Sequence, residues 1–381
     1  MTRVPVKPEL VQWACERAGL EVAALADRFP KLPEWLSEEA HPTLKQLEDF
    51  ARATHTPFGY FFLPEPPVES VPIPDFRTIR AEAIKRPSPD LLDTIYLCQQ
   101  RQEWYREYAR VTGEQRFPFV GSAKPTDDVA TVAADMRDAL AFDLEERRHM
   151  PTWMDALRCF IEQADNLGVL VMVNGVVGSN NRRKLNPREF RGFALSDPLA
   201  PLVFINGADT KAGQMFTLAH ELTHLWLGES ALTDVEPRSA PANAVESWCN
   251  RVAAELLVPL AVLRQEFRRG APLREELDRL ARRFKVSTLV ILRRIHDAGG
   301  LTKDRFWREY DAELDRLQTV PRTSGGDFYL TTAARVSKRF ARAVVTSTWE
   351  GRSSFTEASH LLGFKKMSTF RELGLNLGVS A

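Results

Sequence analysis

Two histidines four positions apart, with a glutamate directly after the first, are the residues of this chain whose types and spacing could do chemistry. They are His220, Glu221 and His224, within the apolar segment Thr217 to Gly228. Residues i and i+4 share one face of an α-helix, so the two imidazoles could hold one metal ion while the carboxylate reaches a water molecule beside it. The alternative is a pair of core histidines with ordinary hydrogen bonds. The spacing favours a zinc-binding helix that ends at the glycine.

A second predicted helix begins near Ala244 and supplies candidates for a third ligand. Glu246 is preferred, and Asn250 one turn later could orient a histidine ring from behind. Glu255 lies about two and a half turns beyond Glu246 and faces roughly away from it, so both cannot hold one ion. Its alternative role is a surface charge or an ion pair. Cys249 is a softer candidate with a less favourable spacing.

Two histidines and one glutamate leave one position of a tetrahedral zinc site open, which is typical of catalytic zinc. We therefore predict that His220, His224 and Glu246 bind Zn2+. Glu221 is the predicted general base, which takes a proton from water and passes it to the leaving amine. The oxyanion that forms during peptide hydrolysis also needs a stabilising side chain, and three candidates remain: Arg191, Arg251 and Tyr329.

These motifs resemble those of the ImmA/IrrE family of metallo-endopeptidases. The resemblance rests on His220 to His224, on Glu246 with Asn250, and on the run Leu256 to Pro259, and it covers about residues 150–300. It implies a zinc-dependent protease that acts on repressors in phage, mobile-element, toxin–antitoxin or stress-response regulation. A repressor or a toxin-like protein is therefore the expected substrate or partner.

The expected fold class is α+β. A zincin-like peptidase domain, with a small and mostly antiparallel sheet, the HExxH helix and the glutamate helix, is flanked by all-α helical domains. Strands are predicted over residues 168–174, 190–196 and 201–206, and a long exposed loop over residues 175–188. The 190–196 strand is a candidate edge strand that holds an extended substrate by backbone pairing, or it only builds the core.

The first 65 residues resemble an Xre-type helix-turn-helix, with helices predicted over residues 8–18, 20–29 and 43–54. Two prolines, Pro30 and Pro33, interrupt the place of a recognition helix, because proline cannot donate a backbone hydrogen bond there. DNA binding therefore competes with a domain that packs, dimerises or binds a protein.

Five parts are predicted along the chain. They are a helix-turn-helix-like domain (1–65), a proline-rich connector with helices (66–150), the zinc metallopeptidase domain (151–265), a second helix-turn-helix-like unit (266–300) and a C-terminal helical domain (301–381). The last two contain clusters of basic residues that could contact a partner or nucleic acid.

Composition limits the remaining choices. Lys and Arg together number 51, as do Asp and Glu, so the chain as a whole lacks the positive field of non-specific nucleic-acid binders. Four scattered cysteines fit reduced thiols. No apolar run approaches 18 residues and no signal segment is evident, so we expect a cytoplasmic protein that does not bind membranes.

Two functional classes fit these observations. The first is a zinc endopeptidase, favoured because Glu221 has no comparable structural role. The second is a DNA- or toxin-binding regulator or antitoxin whose zinc site is non-catalytic, favoured by the helix-turn-helix-like segments. The sequence also allows a homodimer.

Overall fold

The computed structural model describes residues 3–75, 86–233, 244–318 and 333–379. The chain forms two compact units, Met1–Pro72 with Ile79–Tyr96, and Ile73–Thr78 with Leu97–Ala381. Within the described ranges, no helix is both long and apolar enough to cross a membrane. The division into five parts stays a prediction.

The smaller unit is helical. It contains α1 (Pro8–Arg17), α2 (Val22–Ala26), α3 (Leu32–Leu36), α4 (Leu44–Ala53), a 3-10 turn (Phe58–Phe62) and the first residues of α5 (Pro89–Thr112). Trp35 and Phe29 pack against Phe50 at the centre of its core. The predicted helices at 8–18 and 43–54 are confirmed, whereas the helix predicted to Phe29 ends at Ala26. The following α3 is only five residues long.

The larger unit combines helices with a small sheet. Its first half contains α6 (Val129–Leu140), α7 (Leu144–His149), α8 (Trp153–Leu167), β1 (Leu170–Asn174), β2 (Val176–Val177), β3 (Asn180–Lys184), β4 (Gly192–Leu195), β5 (Leu202–Asn206), α9 (Lys211–Leu227), β6 (Ala231–Thr233) and α10 (Ala244–Leu257). Its second half contains α11 (Leu260–Glu266), α12 (Leu273–Phe284), α13 (Thr288–Asp297), α14 (Lys303–Gln318), α15 (Lys338–Trp349), α16 (Phe355–Leu362) and α17 (Met367–Asn376). The α+β class is confirmed, and the zincin-like detail stays a prediction.

The four-stranded sheet has the order β1-β5-β4-β6. β5 pairs parallel with β1 and antiparallel with β4, and β4 pairs antiparallel with β6. The mostly antiparallel sheet is therefore confirmed. The proposed edge position of residues 190–196 is wrong, because β4 is paired on both sides. The outer side of β6 also forms a backbone hydrogen bond, because the Leu232 amide donates to the Pro74 carbonyl at 2.9 Å.

The predicted loop over residues 175–188 is partly wrong, because it contains the antiparallel β2–β3 hairpin. Gly178 has a φ of 54°, a left-handed conformation that suits glycine in a tight turn. The hairpin could not be predicted from the sequence, because β3 is polar and largely exposed and so lacks the alternation of apolar and polar residues that indicates a strand.

The centre of the larger unit is an apolar layer between the sheet and the helices. β1 and β5 are almost entirely buried, as expected for near-continuous apolar strands in the middle of a fold. Side chains of α6, α8, α9 and α10 share one core cluster with them, including Phe160, Leu222 and Leu256. This packing sets α9 beside α10.

The carboxyl end of α10 is held by arginines. The last carbonyls of a helix have no partner within it. Arg137 donates to the carbonyl of Glu255 at 2.8 Å, Arg147 donates to that of Leu257, and Arg294 donates to that of Val258 at 2.9 Å. These bonds fix the run that ends at Pro259.

The region predicted as a second helix-turn-helix-like unit, residues 266–300, contains the helices α12 and α13, and Lys285, with a φ of 51°, lies in the turn between them. Two of its basic side chains are already used inside the protein. Arg283 pairs with Glu145 and Glu266, and Arg294 is buried. These pairs reduce the basic surface that was a candidate for DNA contact.

Candidate metal centre

The helix α9 carries the two histidines into the core. The Thr210 side chain accepts a hydrogen bond from the Gly213 amide at 3.1 Å at its beginning, and Gly228, with a φ of 74°, ends it. The end predicted at the glycine is confirmed. His220 and His224 are both completely buried on one face.

Three side chains meet at one point of the structure. The Nε2 atoms of His220 and His224 are 3.1 Å apart, and the Glu246 carboxylate lies 3.2 Å from the first and 3.0 Å from the second. Two nitrogen ligands of a tetrahedral zinc ion, each about 2.0–2.1 Å from it, are about 3.3 Å apart. The donor set and its spacing therefore fit zinc. Among the described residues these three form the group able to hold a metal ion.

The charges of this group also favour a cation. Burial raises the pKa of Glu246, but hydrogen bonds from His220 and His224 outweigh it and hold the pKa at about 2, so the carboxylate stays ionised. Burial lowers the pKa of His224. Burial acts in the same direction on His220, but Glu246 nearby raises its pKa overall. The carboxylate thus attracts positive charge, which a metal ion can supply in place of a proton.

Glu221 lies beside these ligands and is completely buried. Burial raises the pKa of its carboxyl to about 8, although the His220 charge and a hydrogen bond from Thr233 act against this. Thr233 donates to Oε1, while Oε2 has no hydrogen-bond partner among the described residues. A carboxyl with this proton affinity and one unused oxygen is suited to take up and return a proton near neutral pH.

Asn250 lies one turn after Glu246 on α10, as the sequence predicts for a residue that orients a ligand. Asn250 is one of the groups that raise the pKa of His220. The buried atoms Asn250 Oδ1 and His220 Nδ1 have no hydrogen-bond partner within the described part of the chain. A contact between these two atoms would fix the ring so that Nε2 faces the proposed metal.

The rival ligands lie elsewhere. Glu255 forms an ion pair with Arg294 and accepts a hydrogen bond from the Leu260 amide at 3.2 Å. An ion pair was the alternative to a ligand role that the sequence allowed for this residue. Cys249 Sγ lies 3.9 Å from Nδ1 of His224, the ring nitrogen that does not face Glu246. Burial raises the pKa of this thiol well above its usual value, which keeps it protonated.

The candidates for the oxyanion stay predictions. Arg191 Nε lies 3.9 Å from the carboxylate of Asp209, so it has an internal partner. Arg251 is exposed on α10. Tyr329 lies outside the described residues.

Two residues at this site were missed. An added Cβ at Gly192 on β4 would lie 2.5 Å from Thr217 Cγ2 and 3.0 Å from Glu221 Oε1. An isolated glycine in a strand pattern can mark such a close approach, so Gly192 had a sequence signal. Thr233 had none, because β6 is only three residues long.

Comparisons with known proteins give relatives for part of the chain. Residues 164–296 match a family described as the IrrE N-terminal-like domain, and residues 336–375 match a domain of unknown function (DUF8813). The radiation response metalloprotease IrrE of Deinococcus radiodurans is 34% identical over 96 residues, which are 24% of this chain and 29% of that protein. Its counterpart in Deinococcus deserti is 36% identical over 96 residues, 24% of this chain and 34% of that protein.

The chain therefore covers only about a third of the length of these relatives. No solved structure is significantly similar to it. The matched segment contains both histidines, Glu221 and Glu246. These similarities support the ImmA/IrrE family for residues 164–296.

Proposed function

We propose that this protein is a zinc-dependent endopeptidase that hydrolyses a peptide bond in a repressor or another regulatory protein. The observation that carries this proposal is the position of the buried Glu221 carboxyl beside the group of His220, His224 and Glu246. A purely structural metal site has no need of an additional buried carboxyl with an unused oxygen.

His220, His224 and Glu246 would hold the zinc ion, which when bound polarises the substrate carbonyl and makes water more acidic. The chain itself supplies the proton transfers. Glu221 Oε2 accepts a proton from the attacking water and gives it to the leaving amine, while Thr233 holds Oε1. Burial keeps bulk water from competing for this carboxylate.

The substrate class is supported by similarity. The curated relatives are named radiation response metalloproteases. The ImmA/IrrE family, which the motifs resemble, acts on transcriptional repressors. A regulatory protein is therefore the substrate proposed for this chain.

A substitution that removes the base but keeps the ligands tests the proposal. Wild type, Glu221→Gln and the control Glu229→Gln are purified without chelators, and zinc content and cleavage of a candidate repressor are measured. We expect about one zinc per chain in all three, and cleavage only by wild type and Glu229→Gln. Undiminished cleavage by Glu221→Gln would rule out the mechanism. Zinc in all three with no cleavage of any candidate would favour the non-catalytic regulator.

A further inference from the structure

A small pocket with a positive lining lies in the larger unit, outside the metal centre. Its volume is about 130 Å³. The β2–β3 hairpin, α5 and residues near α15 and α16 contribute its walls, with Arg101, Arg335, Ser179 and Asn181 as polar lining residues. The lining contains two arginines and no carboxylate. The pocket therefore favours an anion.

Arg101 is the key residue, because its guanidinium lacks a counter-charge. Its exposed fraction is 4%, and among the described residues its hydrogen bonds go to a carbonyl oxygen and a thioether sulfur rather than to a carboxylate. Nε donates to the Leu361 carbonyl at 3.0 Å, and Nη1 lies 3.7 Å from Met172 Sδ. A buried charge left in this state is costly unless a ligand supplies the opposite charge.

A structural role explains only part of this arrangement. The bond from Nε to the Leu361 carbonyl holds the end of α16, and a neutral donor could do the same. This structural role does not explain why a guanidinium lies in the wall of a pocket that also contains Arg335. Planar guanidinium groups with several parallel donors are the side chains best suited to phosphate oxygens.

The size of the pocket limits its ligand. Pockets for drug-sized molecules have volumes of about 300–1,000 Å³. A volume of about 130 Å³ leaves room for a single phosphate group. Exposed cations on neighbouring segments, Arg182, Lys184, Lys365 and Lys366, raise the local concentration of anions.

We propose that this pocket binds a phosphate group, either inorganic phosphate or the phosphate of a nucleoside monophosphate, with Arg101 and Arg335 as its cationic donors. Asn181 adds a polar side chain to the same wall, while the Ser179 hydroxyl there donates to the Gly363 carbonyl at 2.7 Å. The site is independent of the metal centre and of protease activity.

Calorimetric titration of the full chain with inorganic phosphate and with a nucleoside monophosphate, at constant ionic strength, tests the proposal. We expect saturable binding to the wild type. Arg101→Met and Arg335→Gln should each weaken it about 10- to 100-fold, because each removes charge-assisted hydrogen bonds. The control is Arg110→Gln, an exposed arginine on α5 paired with Glu107, which should bind as the wild type does.

The two ligands distinguish the source of the phosphate. Equal affinity indicates inorganic phosphate, and about tenfold tighter binding of the monophosphate indicates a nucleotide. If Arg101→Met does not fold, Arg335→Gln decides alone. Absence of saturable binding to the wild type would overturn the proposal, as would unchanged affinity in the folded arginine variants.

Discussion

Thr233 donates a hydrogen bond to Glu221 and so ties the last strand of the sheet to the helix that carries both histidines. The two residues are buried, and Gly192 on the intervening strand β4 brings its backbone against the same carboxylate oxygen. Three separate elements thus fix the carboxyl proposed as the general base. Its position is a property of the sheet register as much as of the helix.

Thr233→Val removes this hydrogen bond while keeping the shape of the side chain. A hydrogen bond to a charged group contributes about 1.5–3 kcal/mol, so we expect kcat of the proposed peptidase to fall about 10- to 100-fold with zinc content unchanged. The Thr233 hydrogen bond also lowers the pKa of Glu221, which burial raises to about 8. Its loss should move the acid limb of the rate profile to higher pH.

Thr94→Val is the matched control for this variant. Thr94 is also buried, but among the described residues its hydroxyl donates only to the carbonyl of Asp90 within its own helix. We expect its kcat and pH profile to equal those of the wild type. A Thr233→Val protein with wild-type kcat and an unmoved acid limb would show that the contact does not position the base.

Gly192→Ala places a methyl group where the strand touches the metal-binding helix. The new Cβ would lie 2.5 Å from Thr217 Cγ2 and 2.9 Å from the Phe204 carbonyl oxygen, inside van der Waals contact. We expect the free energy of unfolding to fall by about 1–3 kcal/mol, measured by urea denaturation. Gly270→Ala, where no atom lies within 4 Å of an added Cβ, should change it far less. Equal stability of the two variants would contradict the close packing.

The pair of histidine ligands could be predicted because their relationship is local. His220 and His224 share one face of their helix because of helical periodicity. In the same way, the spacing between Glu246 and Glu255 predicted that these two residues lie on opposite faces of α10. Thr233 and Gly192 could not be assigned to the site in the same way. Their approach to Glu221 depends on the pairing of β4 with β6, strands about 40 residues apart in sequence.

The fold shows the same difference between local features, which the sequence predicts, and long-range pairing, which it does not. The apolar runs of β1 and β5 predict strands, and their positions are confirmed. Their parallel pairing, and the place of β4 inside the sheet, depend on contacts between distant segments, so the predicted edge strand was wrong. The polar hairpin β2–β3 has no apolar alternation that could reveal it.

Glu246→Gln and Glu255→Gln separate the predicted third ligand from its rival. The two carboxylates lie on the same helix, but only Glu246 contacts both histidines. We expect Glu246→Gln to lose most of its zinc, because a neutral amide replaces the anionic ligand. Glu255→Gln should keep its zinc and lose stability instead. Metal analysis of both proteins checks this, and zinc retained in full by Glu246→Gln would exclude it as a ligand.

The buried pair of Glu255 and Arg294 should show strong coupling. Arg294→Met leaves the Glu255 charge buried and without its ion-pair partner, so we expect a loss of about 3–5 kcal/mol in the free energy of unfolding. The double variant with Glu255→Met should regain most of this loss, since both charges are gone.

The exposed pair of Arg110 and Glu107 serves as the control for this cycle. Arg110→Met should change the free energy of unfolding by about 1 kcal/mol or less, because water screens such pairs. Additive losses for Arg294→Met and Glu255→Met in denaturant unfolding would contradict a coupled pair.

Glu313 on α14 should make stability depend on acid pH. Burial raises the pKa of its carboxyl, but hydrogen bonds from Arg316 and Thr288 and the charge of Arg274 hold it below the usual value. A carboxyl with a lowered folded pKa stabilises the protein above its unfolded pKa of about 4.3, and this contribution is lost as the pH falls through the folded pKa. Glu313→Gln should therefore lower Tm at pH 7, with a difference from wild type that shrinks towards pH 3. Glu309→Gln, on an exposed face of the same helix, should follow the wild-type curve, and a constant Tm difference for Glu313→Gln across this range would refute the linkage.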